Sequence, residues 1–142
     1  MKISMKTLTF IFVFSFALNF LWENLQFLLY ASNNIGINNY FLLMLYASFV
    51  DAVIVLAIFL FLSLINKSIN WKLNVRNILL FSIILIVISA LIEINALKTG
   101  RWTYSSLMPT VFGIGLSPLI QLAVTGLISL IITRKLTSFF SF

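Results

Sequence analysis

The sequence predicts an all-α membrane protein whose four helices cross the bilayer as an antiparallel bundle. Of its 142 residues, 62% are hydrophobic and only 8% are charged, whereas a soluble domain carries about 25% charged residues. Four apolar segments are each long enough to cross a bilayer core, which takes about 20 helical residues. They lie at 8–30, 39–65, 77–97 and 111–133, and together they form one domain.

The first segment follows two lysines, Lys2 and Lys6. A basic start before an apolar run is also how a signal peptide begins. No small-residue cleavage motif follows, however, and the apolar run continues past Trp22 and Glu23 to Tyr30. We therefore expect this segment to be retained as the first membrane span.

Short loops join the other spans, so neighbouring helices are expected to be antiparallel. The Asn-rich loop 31–38 contains Gly36, which predicts a turn. Aromatic residues are common at membrane boundaries. Trp71 suits an anchor at the inner boundary, and Tyr30 and Tyr40 suit anchors at the outer one.

The positions of the basic residues predict the orientation, because cytoplasmic loops carry an excess of Lys and Arg. If both termini are cytoplasmic, seven of the nine basic residues lie on that side. These are Lys2, Lys6, Lys67, Lys72, Arg76, Arg134 and Lys135. The outer side then holds Lys98 and Arg101, and we expect a multi-pass protein of the cell (inner) membrane.

Several classes of site and partner are excluded by composition. The chain has no cysteine and no histidine, so it lacks disulfides, thiol chemistry and the commonest metal ligand and general base. We predict no metal site and no cofactor. The net charge is +6, but the basic residues sit at span ends without forming a continuous basic face, so no nucleic-acid partner is expected.

All three acidic residues, Glu23, Asp51 and Glu93, fall inside predicted spans. A charge at the centre of a bilayer costs about 3 kcal/mol or more. Each acid must therefore face the bundle interior, pair with another group or lose its charge. Counted at 1.5 Å per residue, Glu23 lies ~10 Å, Glu93 ~6 Å and Asp51 ~18 Å below the outer boundary. The sequence predicts a polar, acid-lined pocket in the outer half of the bilayer.

Small and polar residues repeat at helical spacing within the spans. Such stripes allow close helix approach and hydrogen bonds between helices. The stripes are Ser15, Asn19, Glu23 and Gln26 in span one, Ser48 and Asp51 in span two, Ser89 and Glu93 in span three, and Gly113, Ser117, Gln121 and Thr125 in span four.

The loop after span three adds a second group of candidates. Gly100 is expected to end the helix, and a fold-back there would let Arg101 form a bidentate pair with Glu93. Trp102 and Tyr104 suit either an interfacial belt or a pocket wall. Pro118, which lacks a backbone donor, predicts a broken or re-entrant start to span four.

We predict that the ligand-binding residues are Asn19, Trp22, Glu23, Gln26, Asp51, Glu93, Arg101, Trp102, Tyr104, Ser117 and Gln121. The ligand would be lipid-like or otherwise apolar, with a polar or cationic head. A purely structural role, in which the buried acids fix the register of the bundle, stays open as the alternative.

One pattern of polar and aromatic residues runs through all four spans. It comprises Trp22-Glu23, Gln26, Tyr30, Asp51, Glu93, Asn95, Arg101-Trp102-x-Tyr104, Met108-Pro109, Gly113-x-Gly115-x-Ser117-Pro118 and Gln121. Along nearly the whole chain it resembles a family of small four-span bacterial membrane proteins that has no established biochemical function. The resemblance implies the topology and the importance of these positions, and it implies no activity.

A shorter stretch combines Glu93, the loop Gly100-Arg101-Trp102-Thr103-Tyr104, and Pro118 with Gln121. Over about 30 residues it is similar to the lycopene cyclase domain of carotenoid biosynthesis. That domain has acids after the proline, whereas this chain has Gln121, which cannot donate a catalytic proton. The resemblance implies an enzyme acting on an isoprenoid. Since burial favours a neutral carboxyl group, Glu93 or Glu23 would then be the catalytic acid.

A third hypothesis is a transport or assembly role. Three acids at graded depth suit a proton relay or a cationic solute. A single bundle of 142 residues without repeats would need to form a homo-oligomer or join a membrane-protein partner to work as a transporter. The sequence leaves these hypotheses open.

Overall fold

A computed structural model, which describes residues 5–31 and 37–139, confirms the predicted four-helix bundle. Helix α1 is Met5–Gln26 and continues as a 3-10 turn, Phe27–Leu29. The other helices are α2 (Ile37–Ile65), α3 (Val75–Lys98) and α4 (Leu116–Phe139). All four are long and apolar enough to cross a membrane. Lys2 and the predicted Gly36 turn lie outside the described residues, and the cytoplasmic position of the termini stays a prediction.

The helices do not pack evenly around the bundle. Helix α1 packs against both α2 and α4, and α3 packs mainly against α4, whereas α2 and α3 touch much less. Apolar residues fill the core in the half of the bundle away from the acids. Val55, Phe59, Leu62, Phe81 and Leu85 are each fully buried there.

Helices α3 and α4 approach each other closely at Gly126. A Cβ atom built at this position would lie 3.1 Å from Leu85 Cδ1 and 3.1 Å from Phe81 Cε1. Contacts this short leave no room for a larger side chain. The close crossing therefore depends on glycine, as expected for helices that pack inside a membrane.

Trp71 is not the membrane anchor that the sequence predicts. Its side chain is 3% exposed and packs between the rings of Phe59 and Phe81, with centroid distances of 6.0 and 6.3 Å. The guanidinium group of Arg134 lies 5.7 Å from the indole ring and donates to the carbonyl oxygens of Ile69 and Trp71. The indole is thus part of the core, and we call this end of the bundle the Trp71 end.

The opposite end begins with the predicted stop of α3 at Gly100. This residue has φ +65°, which glycine adopts without steric cost. The Gly100 N–H donates to the Leu97 carbonyl at 3.3 Å, and the Arg101 N–H donates to the Ala96 carbonyl at 3.0 Å. This pair of bonds is a Schellman motif, so the predicted helix C-terminus is confirmed.

Helix α4 begins later than predicted and is not broken at its start. Residues Thr110–Val111 (β1) and Ile114–Gly115 (β2) form an antiparallel hairpin. Its turn residues, Phe112 and Gly113, have φ +52° and +79°, as in a tight type I′ turn. Pro118 then falls in the first turn of α4, where a missing N–H leaves no intrahelical bond unmade. We call this end of the bundle the hairpin end.

The polar stripe of α4 consequently differs from the predicted one. Gly113 lies in the turn and not on the helix. The predicted Ser117, Gln121 and Thr125 do lie on α4, and the stripe continues through Ser129 and Thr133. Gln121, Thr125, Ser129 and Thr133 are each at most 3% exposed.

The Gly126 contact yields a first prediction. Gly126→Val should lower the free energy of unfolding by about 1–3 kcal/mol, because its side chain overlaps Leu85 and Phe81. Thermal unfolding in detergent measures this effect. The control is Ala57→Val, at an exposed position on α2, which should leave the melting temperature nearly unchanged. Equal effects of the two variants would contradict the close crossing.

Candidate functional site

A cavity of about 540 Å³ opens among the four helices near the hairpin end. All three acidic residues of the chain, Glu23, Asp51 and Glu93, line it, and Arg101 is the basic residue among its lining. The remaining lining residues are Gln26, Phe27, Tyr30, Ala31, Leu43, Met44, Tyr46, Ala47, Val50, Ser89, Ile92, Trp102, Pro118, Gln121 and Leu122. The structure thus brings acids from three different spans to one place.

Gln121 of α4 connects two of these acids. Its amide nitrogen lies 2.8 Å from Glu23 Oε1, 3.0 Å from Asp51 Oδ2 and 3.1 Å from Asn19 Oδ1. A side-chain amide has only two hydrogens, so three acceptors share them. The two carboxyl oxygens are therefore held within about 6 Å of each other, each close to one nitrogen.

A chain of hydrogen bonds fixes the orientation of the Gln121 amide. Gln26 Nε2 donates to Gln121 Oε1 at 2.8 Å. In turn, Ser117 Oγ donates to Gln26 Oε1 at 2.8 Å, and Trp22 Nε1 donates to Ser117 Oγ at 3.1 Å. Because the Gln121 oxygen is an acceptor here, its NH₂ group must face the acids.

Four of the predicted site residues, Asn19, Trp22, Ser117 and Tyr104, do not line the cavity themselves. Asn19 is fully buried, and its Oδ1 also accepts from Thr125 Oγ1 at 3.0 Å. Asn19, Ser117 and Tyr104 each contact a lining residue through a hydrogen bond, and Trp22 contacts Ser117. They hold the lining side chains in place, whereas the other seven predicted residues face the cavity.

The predicted ion pair between Arg101 and Glu93 is absent. Glu93 is 4% exposed, and its Oε2 accepts from Trp102 Nε1 at 3.2 Å and from Tyr104 Oη at 2.5 Å. Arg101 is exposed at the rim. The Schellman motif explains the difference, because it commits the Arg101 backbone to the helix end and lets the following residues return over Glu93.

The loop that follows α3 is hydrogen-bonded to the end of α1. The Ala31 N–H donates to the Thr103 carbonyl, and the Ser105 N–H donates to the Leu29 carbonyl, both at 2.9 Å. These bonds align Tyr30 with Tyr104 in an antiparallel bridge. Two chain segments more than 70 residues apart therefore close the hairpin end together.

Three aromatic rings meet over Glu93 as a result. The Tyr30 ring lies 6.1 Å from Trp102 and 5.7 Å from Tyr104, measured between centroids. We call Tyr30, Trp102 and Tyr104 the aromatic cap. Sequence reasoning assigned Tyr30 to the membrane boundary only, because a pairing between distant segments leaves no periodic signal in the sequence.

The tyrosine hydroxyl groups of the aromatic cap remain protonated, so they can donate hydrogen bonds. Burial, followed by the hydrogen bond to Glu93, raises the pKa of Tyr104 to about 12. Burial, followed by the nearby charge of Glu93, also raises the pKa of Tyr30. Since an ordinary tyrosine has a pKa of about 10, both hydroxyls stay neutral at physiological pH.

One buried hydroxyl in the cavity wall has no partner. Two other buried serines of the bundle, Ser48 and Ser63, do have partners, since each donates to the carbonyl oxygen four residues earlier, at 2.6 and 2.8 Å. Ser89 Oγ makes no hydrogen bond within the described part of the chain, although Ser89 is 4% exposed. Asp51 Oδ1 also has no hydrogen-bond partner among those residues, because the bond from Gln121 reaches Oδ2. Ser89 Oγ is thus an unsatisfied buried group, which is costly. Asp51 lines the cavity, and its Oδ1 is available to a ligand there.

The acids stand on different walls of the cavity. Within residues 5–31 and 37–139, no three acidic groups are close enough together to hold a metal ion.

Compared with protein-family models, with curated proteins and with solved structures, the chain matches none. The two family resemblances given above therefore stay predictions.

The Glu93 contacts yield a second prediction. Tyr104→Phe should lower the free energy of unfolding by about 1–3 kcal/mol, because the carboxyl group loses a donor. In a Glu93→Gln background the same change should cost clearly less, because an amide oxygen accepts a weaker hydrogen bond than a carboxylate, so the two effects should not add. Thermal unfolding of the four proteins measures the coupling.

The control for this cycle is Tyr40→Phe, whose hydroxyl donates to Asn24 Oδ1 at 2.8 Å, away from Glu93. Its cost should be the same with and without Glu93→Gln. Additive effects of Tyr104→Phe and Glu93→Gln would contradict the assigned contact.

Proposed function

We propose that this multi-pass membrane protein binds an amphiphilic amine, a molecule with an ammonium head and an apolar chain, in the acid-lined cavity. We place it in the cell (inner) membrane with the cavity toward the outer leaflet. The observation that carries the proposal is the position of the acids. Glu23, Asp51 and Glu93 line one cavity in which Arg101, the single basic residue among the described lining, is exposed at the rim.

The first argument is the balance of charge. In the described residues, no lysine or arginine forms a hydrogen bond with Glu23, Asp51 or Glu93. Ionising acids at such depth costs about 3 kcal/mol each or more. A cation bound between them would offset part of that cost, because opposite charges attract strongly in surroundings of low dielectric constant.

The second argument is the supply of acceptors. A primary ammonium group has three N–H donors and no acceptor. Asp51 Oδ1 accepts no hydrogen bond from the described residues and is free to accept from it. The rings of Tyr30 and Trp102 line the same cavity, and aromatic faces attract cations.

The third argument is the shape and polarity of the walls. A volume of about 540 Å³ lies within the range of small-molecule sites, about 300–1,000 Å³. Phe27, Met44 and Ile92 give part of the wall an apolar surface, which suits a hydrocarbon chain. Arg101 at the rim would contact an anionic group, such as a phosphate, carried next to the amine.

Matched ligands test the charge preference. Purified protein in mild detergent should bind dodecylamine at least about tenfold more tightly than 1-dodecanol, a difference of about 1.4 kcal/mol. Asp51→Asn should abolish most of this preference, because it removes one carboxylate without changing the side-chain size. Ligand-induced shifts in melting temperature give both affinities.

Tyr40→Phe, which lies outside the cavity lining, serves as the control and should keep the preference. Equal binding of the amine and the alcohol by wild type would refute the proposal. Mass spectrometry of molecules that co-purify with wild type and with Glu93→Gln gives an independent answer. Only bulk phospholipid in both, at equal thermal stability, would favour an assembly role with a partner membrane protein.

A second candidate is acid chemistry on an isoprenoid. The observation that favours it is Glu93 itself, whose carboxyl group lies beneath the aromatic cap and faces a largely apolar cavity. Such rings would stabilise a carbocation formed when an acid protonates an alkene. Glu93→Gln should then abolish turnover while the fold persists. Unchanged turnover of an isoprenoid substrate in that variant would exclude this candidate.

A further inference from the structure

We infer that the apolar chain of the ligand passes sideways through an opening between α2 and α3, so that the ligand enters from the bilayer. This inference rests on the proposed function, since it describes how an amphiphilic amine reaches the acids. The inference gives the ligand's hydrocarbon chain a route between two helices. A preference for amines over alcohols does not by itself require such a route.

The packing of the helices leaves this side open. Helix α2 packs mainly against α1, and α3 packs mainly against α4. The two helices therefore belong to different closely packed pairs, and the contact between the pairs is weakest where α2 faces α3. In a bundle that spans a membrane, such a gap faces lipid and not water.

Both sides of the gap belong to the cavity wall. On α2 the lining residues Leu43, Tyr46, Ala47 and Val50 follow the spacing of one helical stripe. Leu43 and Tyr46 are also 44% and 69% exposed on the outside of the bundle. The cavity wall and the lipid-facing surface therefore meet at these two side chains.

The opening has definite limits along the helices. Toward the Trp71 end, Val55, Phe59 and Leu85 are fully buried in the core and fill the bundle. At the hairpin end, the aromatic cap lies over Glu93. On α3 the cavity-lining residues run from Ser89 to Glu93, a rise of about 6 Å.

The cavity also reaches the surface at the hairpin end, where Ala31 and Arg101 are exposed, but a route past the charged Arg101 is less direct for an apolar molecule. There the backbone pairing of residues 29–31 with 103–105 crosses the bundle, and the rings of the aromatic cap lie beneath it. A chain that enters between α2 and α3 avoids these bonds. It also remains in contact with hydrocarbon throughout, so no apolar surface needs to cross water.

The test distinguishes binding of the ligand's hydrocarbon chain from binding of its ammonium head. Wild type should bind both butylamine, which fits within the cavity, and octadecylamine. Ala47→Phe, which narrows the opening, should weaken octadecylamine binding at least about tenfold and butylamine binding clearly less. Ala57→Phe, at an exposed position of the same helix outside the cavity lining, should leave both unchanged.

A second variant covers the case in which Ala47→Phe does not fold. Tyr46→Ala removes an exposed side chain at the edge of the opening, so it should speed the exchange of bound octadecylamine several-fold. Unchanged exchange would count against the lateral route.

The outcomes distinguish the two proposals. Failure of wild type to bind either amine overturns the proposed function and the route with it. Normal octadecylamine binding and exchange in both Ala47→Phe and Tyr46→Ala overturns the route alone. A change of oligomeric state in these variants, without selective loss of octadecylamine, would show that a second copy of the chain covers the gap, and this too overturns the route.

Discussion

The side-chain amide of Gln121 is the contact on which the interior of the bundle depends. In hydrocarbon no water can satisfy a polar group, so each such group needs a partner within the protein. Gln121 supplies one from α4 to Asn19 and Glu23 of α1 and to Asp51 of α2. Three helices are therefore positioned around one amide, and Gln26 sets the direction in which this amide faces.

The second constraint is the closure of the hairpin end, which decides the surroundings of Glu93. The loop after α3 is hydrogen-bonded to the end of α1, and this brings Trp102 and Tyr104 onto the carboxyl group. Trp102 and Tyr104 are neutral donors, so they leave the negative charge of an ionised Glu93 uncompensated. The pair with Arg101 that the sequence predicts would neutralise that charge. This difference in partner is the physical basis for proposing a cationic ligand.

The acids and the packed apolar core are separated along the bundle. Toward the Trp71 end the interior is a packed core of Phe59, Phe81 and Leu85. Toward the hairpin end the interior holds acids, amides and a cavity. Close packing in one half gives the bundle rigidity, while the other half encloses the space that a ligand would occupy.

The four spans and the inward position of the acids can be predicted from the sequence, because hydropathy and the cost of burying charge act on each helix separately. The polar stripes likewise follow from helical spacing. Which polar groups meet, in contrast, depends on how distant segments pack. The docking of residues 103–105 on 29–31, the placement of Tyr30 over Glu93, the burial of Trp71 and the hairpin before α4 all depend on contacts between distant segments. Such contacts leave no periodic pattern in the chain, so local reasoning paired Glu93 with Arg101 instead of Tyr104.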